Sequence, residues 1–301
     1  MTKVAANGIE IEYERAGDPQ APALLFIMGL GAQLCGWDDD FIAGFVQQGL
    51  QAVRLDNRDC GLSTKWPAAE PLSLGPQLLA ALQGQSVAVP YALTDLADDV
   101  VGLLDALAIK SCHVVGASMG GMIAQLLALR APERVRSLTS IMSTTGERGL
   151  PPPEARVLGP LFAPVGKGRE GRISRMVDIF RTIGSPPPLF DEARVRARLT
   201  RFYDRSFHPV GIIRQLLAIL STPGRAAALG AVQMPALIIH GDRDPLVPLA
   251  CGQATAAAIP GARLLVLPGV GHELPSAVWP QVTAAITAHV RAAEQLLTGA
   301  S

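Results

Sequence analysis

The pentapeptide Gly116-Ala117-Ser118-Met119-Gly120 places a serine between small residues, directly after an apolar run ending at Val115 and directly before a stretch with helical spacing. A serine hydroxyl is a weak nucleophile until a neighbouring base takes its proton. A sharp strand-to-helix turn lifts such a hydroxyl clear of a sheet, and it demands small residues two positions before and after. Gly116, Gly120 and Gly121 meet that demand, which makes Ser118 the candidate nucleophile. A pattern this short also occurs by chance on surface loops. Its place between strand and helix, with partners downstream in the order Ser, Asp, His, argues for chemistry.

The base is found by elimination among five histidines. His113 lies in the strand before the serine, His240 ends a strand, His208 falls in a proline-rich helical region and His289 sits within the last helix. For each of these a structural role is expected. His272, in Gly269-Val270-Gly271-His272-Glu273, follows the last strand in a glycine-rich loop, from which an imidazole can reach over the carboxyl edge of a parallel sheet. The acid comes from Gly241-Asp242-Arg243-Asp244, beyond another strand. Asp242 stands first after the turn and is expected to cap loop amides. Asp244 is far enough out to meet the far ring nitrogen, and it is the preferred acid, with Asp242 the alternative. Acyl transfer further requires donors for a developing oxyanion. The backbone amides of Met119, at a helix N-terminus, and Leu30, in Met28-Gly29-Leu30-Gly31, are the candidates.

Positioning these groups takes a sheet. Ile9, Ile11 and Tyr13 alternate with glutamates after Asn7-Gly8, a hairpin turn leading into a half-buried strand. Ala23 to Met28, Gln51 to Leu55, Cys112 to Val115, Ser137 to Met142, Ala236 to His240 and Arg263 to Leu267 read as buried strands. Helices are expected over Asp39 to Gln48, after Thr94 (Leu96, Val100, Leu103, Leu107), over Met119 to Arg130 and over Val278 to Leu297. Alternating strands and helices imply a mostly parallel sheet covered on both faces. From 147 to 229 no convincing strand occurs, only helical stretches between turns such as Pro151-Pro152-Pro153. This is read as a helical cap (lid) inserted into a core of residues 1–146 and 230–301. The insertion carries 14 Lys and Arg against 7 Asp and Glu, leaving 12 against 19 elsewhere.

The 301 residues, 49% hydrophobic and 17% charged with no net charge, describe a packed chain and exclude disorder. Without a basic tract, a nucleic-acid partner is not expected. Cys35, Cys60, Cys112 and Cys251 lack metal-ligand spacing and read as buried apolar residues, which favours a reducing compartment. Met1 to Glu10 has no leader character and no apolar stretch approaches eighteen residues, so a cytoplasmic protein with no membrane partner is expected. Gly29-x-Gly31 opens like a dinucleotide fingerprint, but Leu34 stands where the third glycine belongs. No cofactor and no metal are expected, and a homodimer is compatible with the sequence.

With the serine turn, the Gly-Asp-x-Asp loop and the Gly-x-Gly-His loop in place, the sequence resembles the α/β-hydrolase superfamily over essentially its whole length. The resemblance implies an α/β fold with a mostly parallel eight-stranded sheet flanked by helices. Asp56-Asn57-Arg58-Asp59-Cys60-Gly61-Leu62-Ser63 is similar to the Asp-x-Arg-Gly-x-Gly-x-Ser turn of such enzymes, with Asp59 where glycine is usual. Together with the Met-Gly oxyanion loop it resembles bacterial esterases related to the aclacinomycin methylesterases. The implied activity is hydrolysis of a small to medium, largely apolar carboxylic ester through an acyl-enzyme. Trp37 matches a common position after the oxyanion loop. Together with Leu30 and Met119, and with Leu161, Phe162 and Leu216 of the insertion, it is a candidate for lining the substrate site; the insertion's apolar residues serve equally as its own core. Perhydrolysis (haloperoxidase-like) on the same acyl-enzyme, carbon–carbon bond hydrolysis and a non-catalytic receptor are the alternatives. Arg201, Arg205 and Arg214 either face the cleft and favour anionic substrates, or pair with core carboxylates on a solvated surface.

Overall fold

The computed structural model describes residues 2–67, 74–85, 87–162 and 166–299. The chain opens with β1 (Thr2–Ala6) and β2 (Ile9–Ala16), paired antiparallel. Asn7 and Gly8 join them, both at positive φ (49° and 76°), the conformation a two-residue hairpin turn requires and these residue types tolerate. There follow β3 (Ala23–Ile27), α1 (Asp39–Val46), β4 (Gln51–Leu55), α2 (Leu74–Leu82), α3 (Leu93–Ala106), β5 (Cys112–Ala117), α4 (Met119–Arg130) and β6 (Val135–Ile141). Five helices come next, α5 (Ala155–Phe162), α6 (Gly168–Ile183), α7 (Glu192–Arg205), α8 (Pro209–Ser221) and α9 (Ala226–Leu229). The chain closes with β7 (Ala236–Gly241), α10 (Leu249–Ala258), β8 (Arg263–Leu267) and α11 (Trp279–Gly299).

The eight strands form one sheet in the order β1-β2-β4-β3-β5-β6-β7-β8, parallel from β4 through β8 and antiparallel at the β1–β2 and β2–β4 pairings. Continuous apolar runs such as Ala23-Leu24-Leu25-Phe26-Ile27 arise because alternate side chains serve opposite faces. Leu25 and Ile27 join α3 and α4 on one side, whereas Leu24 and Phe26 join α1 and α11 on the other. Strand boundaries moved by a residue or two from those expected. The α10 helix carries no readable stripe: it is rich in alanine, with no strong difference between its faces.

The helices between β6 and β7 dock through charge as well as apolar contact. Val177, Val195, Leu199 and Phe202 of α6 and α7 pack on Leu34 and Cys35 of the core. Arg194, Arg198, Arg201 and Arg205 recur along one face of α7. Arg194 pairs with Asp38 (2.9 Å), Arg201 with Asp39 (3.2 Å) and Arg205 with Asp56 (2.6 Å), while Arg198 lies over the Phe180 ring. From α8, Arg214 meets Asp59 at 3.3 Å and donates to Trp66 O at 2.9 Å. The three arginines considered for substrate steering are thus engaged by core aspartates; Arg214 is buried and Arg205 mostly so (5% and 12% exposed side chains).

All four cysteines are free and buried, and burial raises each thiol pKa, Cys112 to about 12, so none has thiolate character. Among the described residues, no helix is long and apolar enough to cross a membrane. Trp37, expected at the substrate site, is instead part of the packed interior. It is buried, stacked on Phe41 (6.0 Å between centroids, 14° between planes) and tilted against Phe26 at 5.2 Å, because the loop after β3 folds it into the layer between the sheet and α1. Trp37→Ala should therefore cost about 3–5 kcal/mol of unfolding free energy by denaturant titration. Trp37→Phe should leave the KM for any substrate unchanged.

Candidate active site

Ser118 stands between β5 and α4 with φ 56° and ψ −121°, a backbone conformation that a residue with a side chain adopts only under constraint. Its N–H donates to Ile141 O at 2.9 Å, and its own carbonyl accepts from Ser143 Oγ at 2.8 Å. The flanking glycines are steric necessities. A Cβ on Gly116 would run into the Gly120 carbonyl, one on Gly120 into the Ile27 carbonyl, and one on Gly121 would lie 2.6 Å from Ser143 Cβ. The turn leaves Ser118 partly exposed to solvent.

The loops after β7 and β8 bring the other two groups to the same carboxyl edge. His272 Nδ1–H donates to Asp244 Oδ2 at 2.7 Å, and Ser118 Oγ–H donates to His272 Nε2 at 3.0 Å. Asp244 has no exposed side-chain surface, and its second oxygen accepts the Leu246 and Val247 amides at 2.9 and 2.8 Å. Three hydrogen bonds fix its direction. Asp242 is exposed and takes the Gly269 amide at 2.7 Å, tying the β7 loop to the β8 loop.

The oxyanion candidates lie beside this chain. Met119 is the first residue of α4, where amides have no partner within the helix; its side chain is buried in the core, so only its backbone faces the site. In the loop after β3, a Cβ on Gly29 would lie 3.0 Å from Ser118 Cβ and 3.5 Å from its Oγ, so the residue preceding Leu30 packs against the serine. The Leu30 and Leu216 side chains are half-buried and Leu161 is 38% exposed. The Phe162 side chain lies outside the described residues.

Several groups without a sequence signal of their own support the site. His272 N–H donates to Ile183 O at 2.7 Å, Gly271 N–H to Ser185 Oγ at 3.1 Å, and Ser185 N–H to Glu273 Oε1 at 2.9 Å. The end of α6 thereby grips the histidine loop. Burial raises the Glu273 pKa, opposed by that amide and by Arg198. On the other side, Asp56 accepts the Leu34 and Leu62 amides, both at 2.7 Å, and Asn57 Nδ2 donates to Met28 O at 2.9 Å. Asp59, at φ 63° where the resembled turn leads one to expect glycine, accepts from Tyr91 Oη (2.8 Å) and the Trp66 amide (2.7 Å) and faces Arg214. That departure was visible in the sequence; its partners were not. Among the described residues, no three His, Cys, Asp or Glu side chains are grouped to hold a metal ion.

A strand-turn-helix serine, a histidine and a carboxylate on successive loops of a doubly covered parallel sheet define a class of protein. The chain belongs to the alpha/beta hydrolase fold family, whose sequence profile matches residues 22–275. It is 32% identical to rhodomycin D methylesterase of Streptomyces peucetius, an alignment spanning 97% of this chain and 99% of the relative. It is also 32% identical to a 2-hydroxymuconate semialdehyde hydrolase from a Pseudomonas species, over 62% of each chain. Among solved structures, the enol-lactonase of Burkholderia xenovorans shares the fold with a TM-score of 0.74 at 22% identity, covering 96% of this chain and all of the other. The resemblance to bacterial methylesterases drawn from the Met-Gly loop and the Asp-Asn-Arg-Asp turn is thus borne out by near full-length relatives.

His240, His113 and His289 are held within the fold. His240 Nε2–H donates to Val247 O at 2.7 Å, supporting the loop that carries Asp244. Burial holds His113 and His289 at a pKa of about 4, the first against the pull of Glu294, the second aided by Arg263. Between pH 6.5 and 4 the unfolded chain protonates both rings and the native fold does not, so stability is lost as pH falls through that window. Plotting the denaturation midpoint against pH should show this slope, and His289→Gln should make it shallower. An unchanged slope would mean that His289 is already charged in the native protein.

Proposed function

We propose that this protein is a serine hydrolase that cleaves a carboxylic ester, with Ser118 as nucleophile, His272 as general base and acid, and Asp244 as the orienting carboxylate. The observation carrying this reading is the unbroken hydrogen-bonded chain Ser118–His272–Asp244 at the carboxyl edge of the sheet. Near full-length similarity to a methylesterase supports it and makes a methyl ester of a largely apolar acid the first substrate to try. The partial match to the semialdehyde hydrolase covers less of the chain and gives carbon–carbon cleavage less support.

In this scheme Ser118 Oγ bonds to the carbonyl carbon as its proton passes to His272 Nε2, and Asp244 stabilises the imidazolium. The Leu30 and Met119 amides receive the oxyanion. Collapse expels the alcohol, which takes the proton from His272. Water then attacks the acyl-enzyme with His272 as base, releasing the acid and restoring Ser118. Residues 147–229 act as a cap over a core of 1–146 and 230–301, and Leu30, Leu161 and Leu216 contribute to the apolar substrate site.

A panel of methyl and p-nitrophenyl esters tests the reading, with Ser118→Ala as the blank. Wild-type protein should turn over at least one ester and be labelled at Ser118 by a serine-directed phosphonate. Asp244→Asn should lower kcat by about 10⁴-fold by giving the ring the wrong tautomer. Asp242→Asn, removing only a surface loop contact, should stay within roughly threefold. A larger loss in a normally folded Asp242→Asn would reverse the assignment of the acid.

A further inference from the structure

The Leu30 amide belongs to a four-residue turn running from Gly29 to Ala32, closed by Ala32 N–H donating to Gly29 O at 3.1 Å. Gly29 C=O and Leu30 N–H are parts of one trans peptide and point in opposite directions. Turning that carbonyl towards Ala32 therefore turns the amide out of the turn. Gly31, the third residue, has φ 65°, the sign that distinguishes a type II turn from a type I turn. Those two forms interconvert by a flip of the peptide between Leu30 and Gly31.

That peptide has a partner from a distant part of the chain. Gly31 N–H donates to Gln215 Oε1 at 2.9 Å. Gln215 is fully buried on α8, and its Nε2 donates to Arg58 O at 2.7 Å, so both ends of the amide are committed. Arg58 is itself clamped by Asp99 through two 2.6 Å hydrogen bonds, which makes its carbonyl a fixed support. Ile212, one turn earlier on α8, closes over Gly31: a Cβ there would lie 2.8 Å from Ile212 Cγ1. A flipped peptide would present the Leu30 carbonyl, not an N–H, to the Gln215 oxygen.

We propose that Gln215 is a positioning residue for the oxyanion turn: by accepting Gly31 N–H it holds the turn in one form, with the Leu30 amide beside Ser118. The chemistry rests on the ester-hydrolase reading; the hold on the turn does not. Released from Gln215, the turn is free to flip or drift, and an oxyanion donor displaced by about 1 Å loses much of its effect.

The test compares wild-type protein with Gln215→Met, which fills the same space without accepting a hydrogen bond from Gly31. Arg214→Met is the control, since it loosens α8 from Asp59 and Trp66 without touching the turn. The readouts are turnover of p-nitrophenyl butyrate, inhibition by an alkyl trifluoromethyl ketone, which forms a tetrahedral oxyanion on serine, and hydrogen exchange of the Gly31 amide. Gln215→Met should lower kcat roughly tenfold to a hundredfold with KM within about threefold. It should weaken the ketone by the same factor and speed Gly31 exchange, while Arg214→Met keeps the ketone affinity. The proposal is overturned if Gln215→Met keeps wild-type kcat, loses it with ketone affinity unchanged, leaves Gly31 exchange unaltered, or is matched in both kinetic losses by Arg214→Met. If the wild type cleaves no ester and takes no phosphonate while Gly31 exchange still accelerates in Gln215→Met, the ester reading fails and the hold on the turn stands.

Discussion

The left-handed backbone at Ser118 is the constraint around which the site is arranged. A side chain in that conformation costs of order 1–3 kcal/mol, and the surroundings must over-determine it to keep it there. They do so from three directions. Ile141 at the end of β6 takes the Ser118 N–H, Ser143 and the first turn of α4 take its carbonyl, and the absent side chains at 116, 120 and 121 let β5, α4, the β3 carboxyl end and Ser143 close on one another. Each support is backbone or a short side chain fixed in the sheet layer. The imidazole thus meets a residue whose backbone is already held in place.

A second layer of order comes from buried charge between the core and the helices that follow β6. Asp56 and Asp59 have no exposed side-chain surface, yet each faces an arginine from the far side of the interface. Such pairs are weak evidence for stability, because desolvating both partners offsets much of their attraction; leaving one partner alone is what costs several kcal/mol. Their value here is directional. Arg205 can satisfy Asp56 and Gln33 together in one placement of α7, and Arg214 can satisfy Asp59 and Trp66 O in one placement of α8. Apolar packing of Phe202 and Leu199 on Leu34 tolerates sliding in a way that these contacts do not.

The sequence carried the sheet and the three loop residues because their signals are local. Val114 and Val115 are apolar for two faces, Gly116 and Gly120 are small for one turn, and His272 is flanked by glycines in a way that His113 and His289 are not. Asp244 was separable from Asp242 only by reach, and the coordinates separate them by burial. What could not be read depends on pairings between distant segments. Gln215 meets Gly31 across 184 positions and Ser185 meets Gly271 across 86, and neither a glutamine within a helix nor a serine before a proline turn announces such a partner. Trp37 went astray for the same reason: an aromatic residue after a glycine-rich loop suits a pocket or a core equally well, and only the stacked Phe41 ring decides between them.

These long-range pairings bear on how the helices between β6 and β7 relate to the sheet. A lid that swings away as a body needs an interface it can leave without penalty. Here, departure would unpair Asp56 and Asp59, strip Gly31 of its acceptor and free the histidine loop from Ile183 and Ser185. Several buried groups would be left unsatisfied at once, at about 1–3 kcal/mol each for the neutral ones and more for the charges. The α6–α8 helices are therefore part of the same cooperative structure as the sheet. Any opening of these helices is limited to movements smaller than their detachment, and the end of α6 that would have to let go is the same one that holds the loop carrying His272.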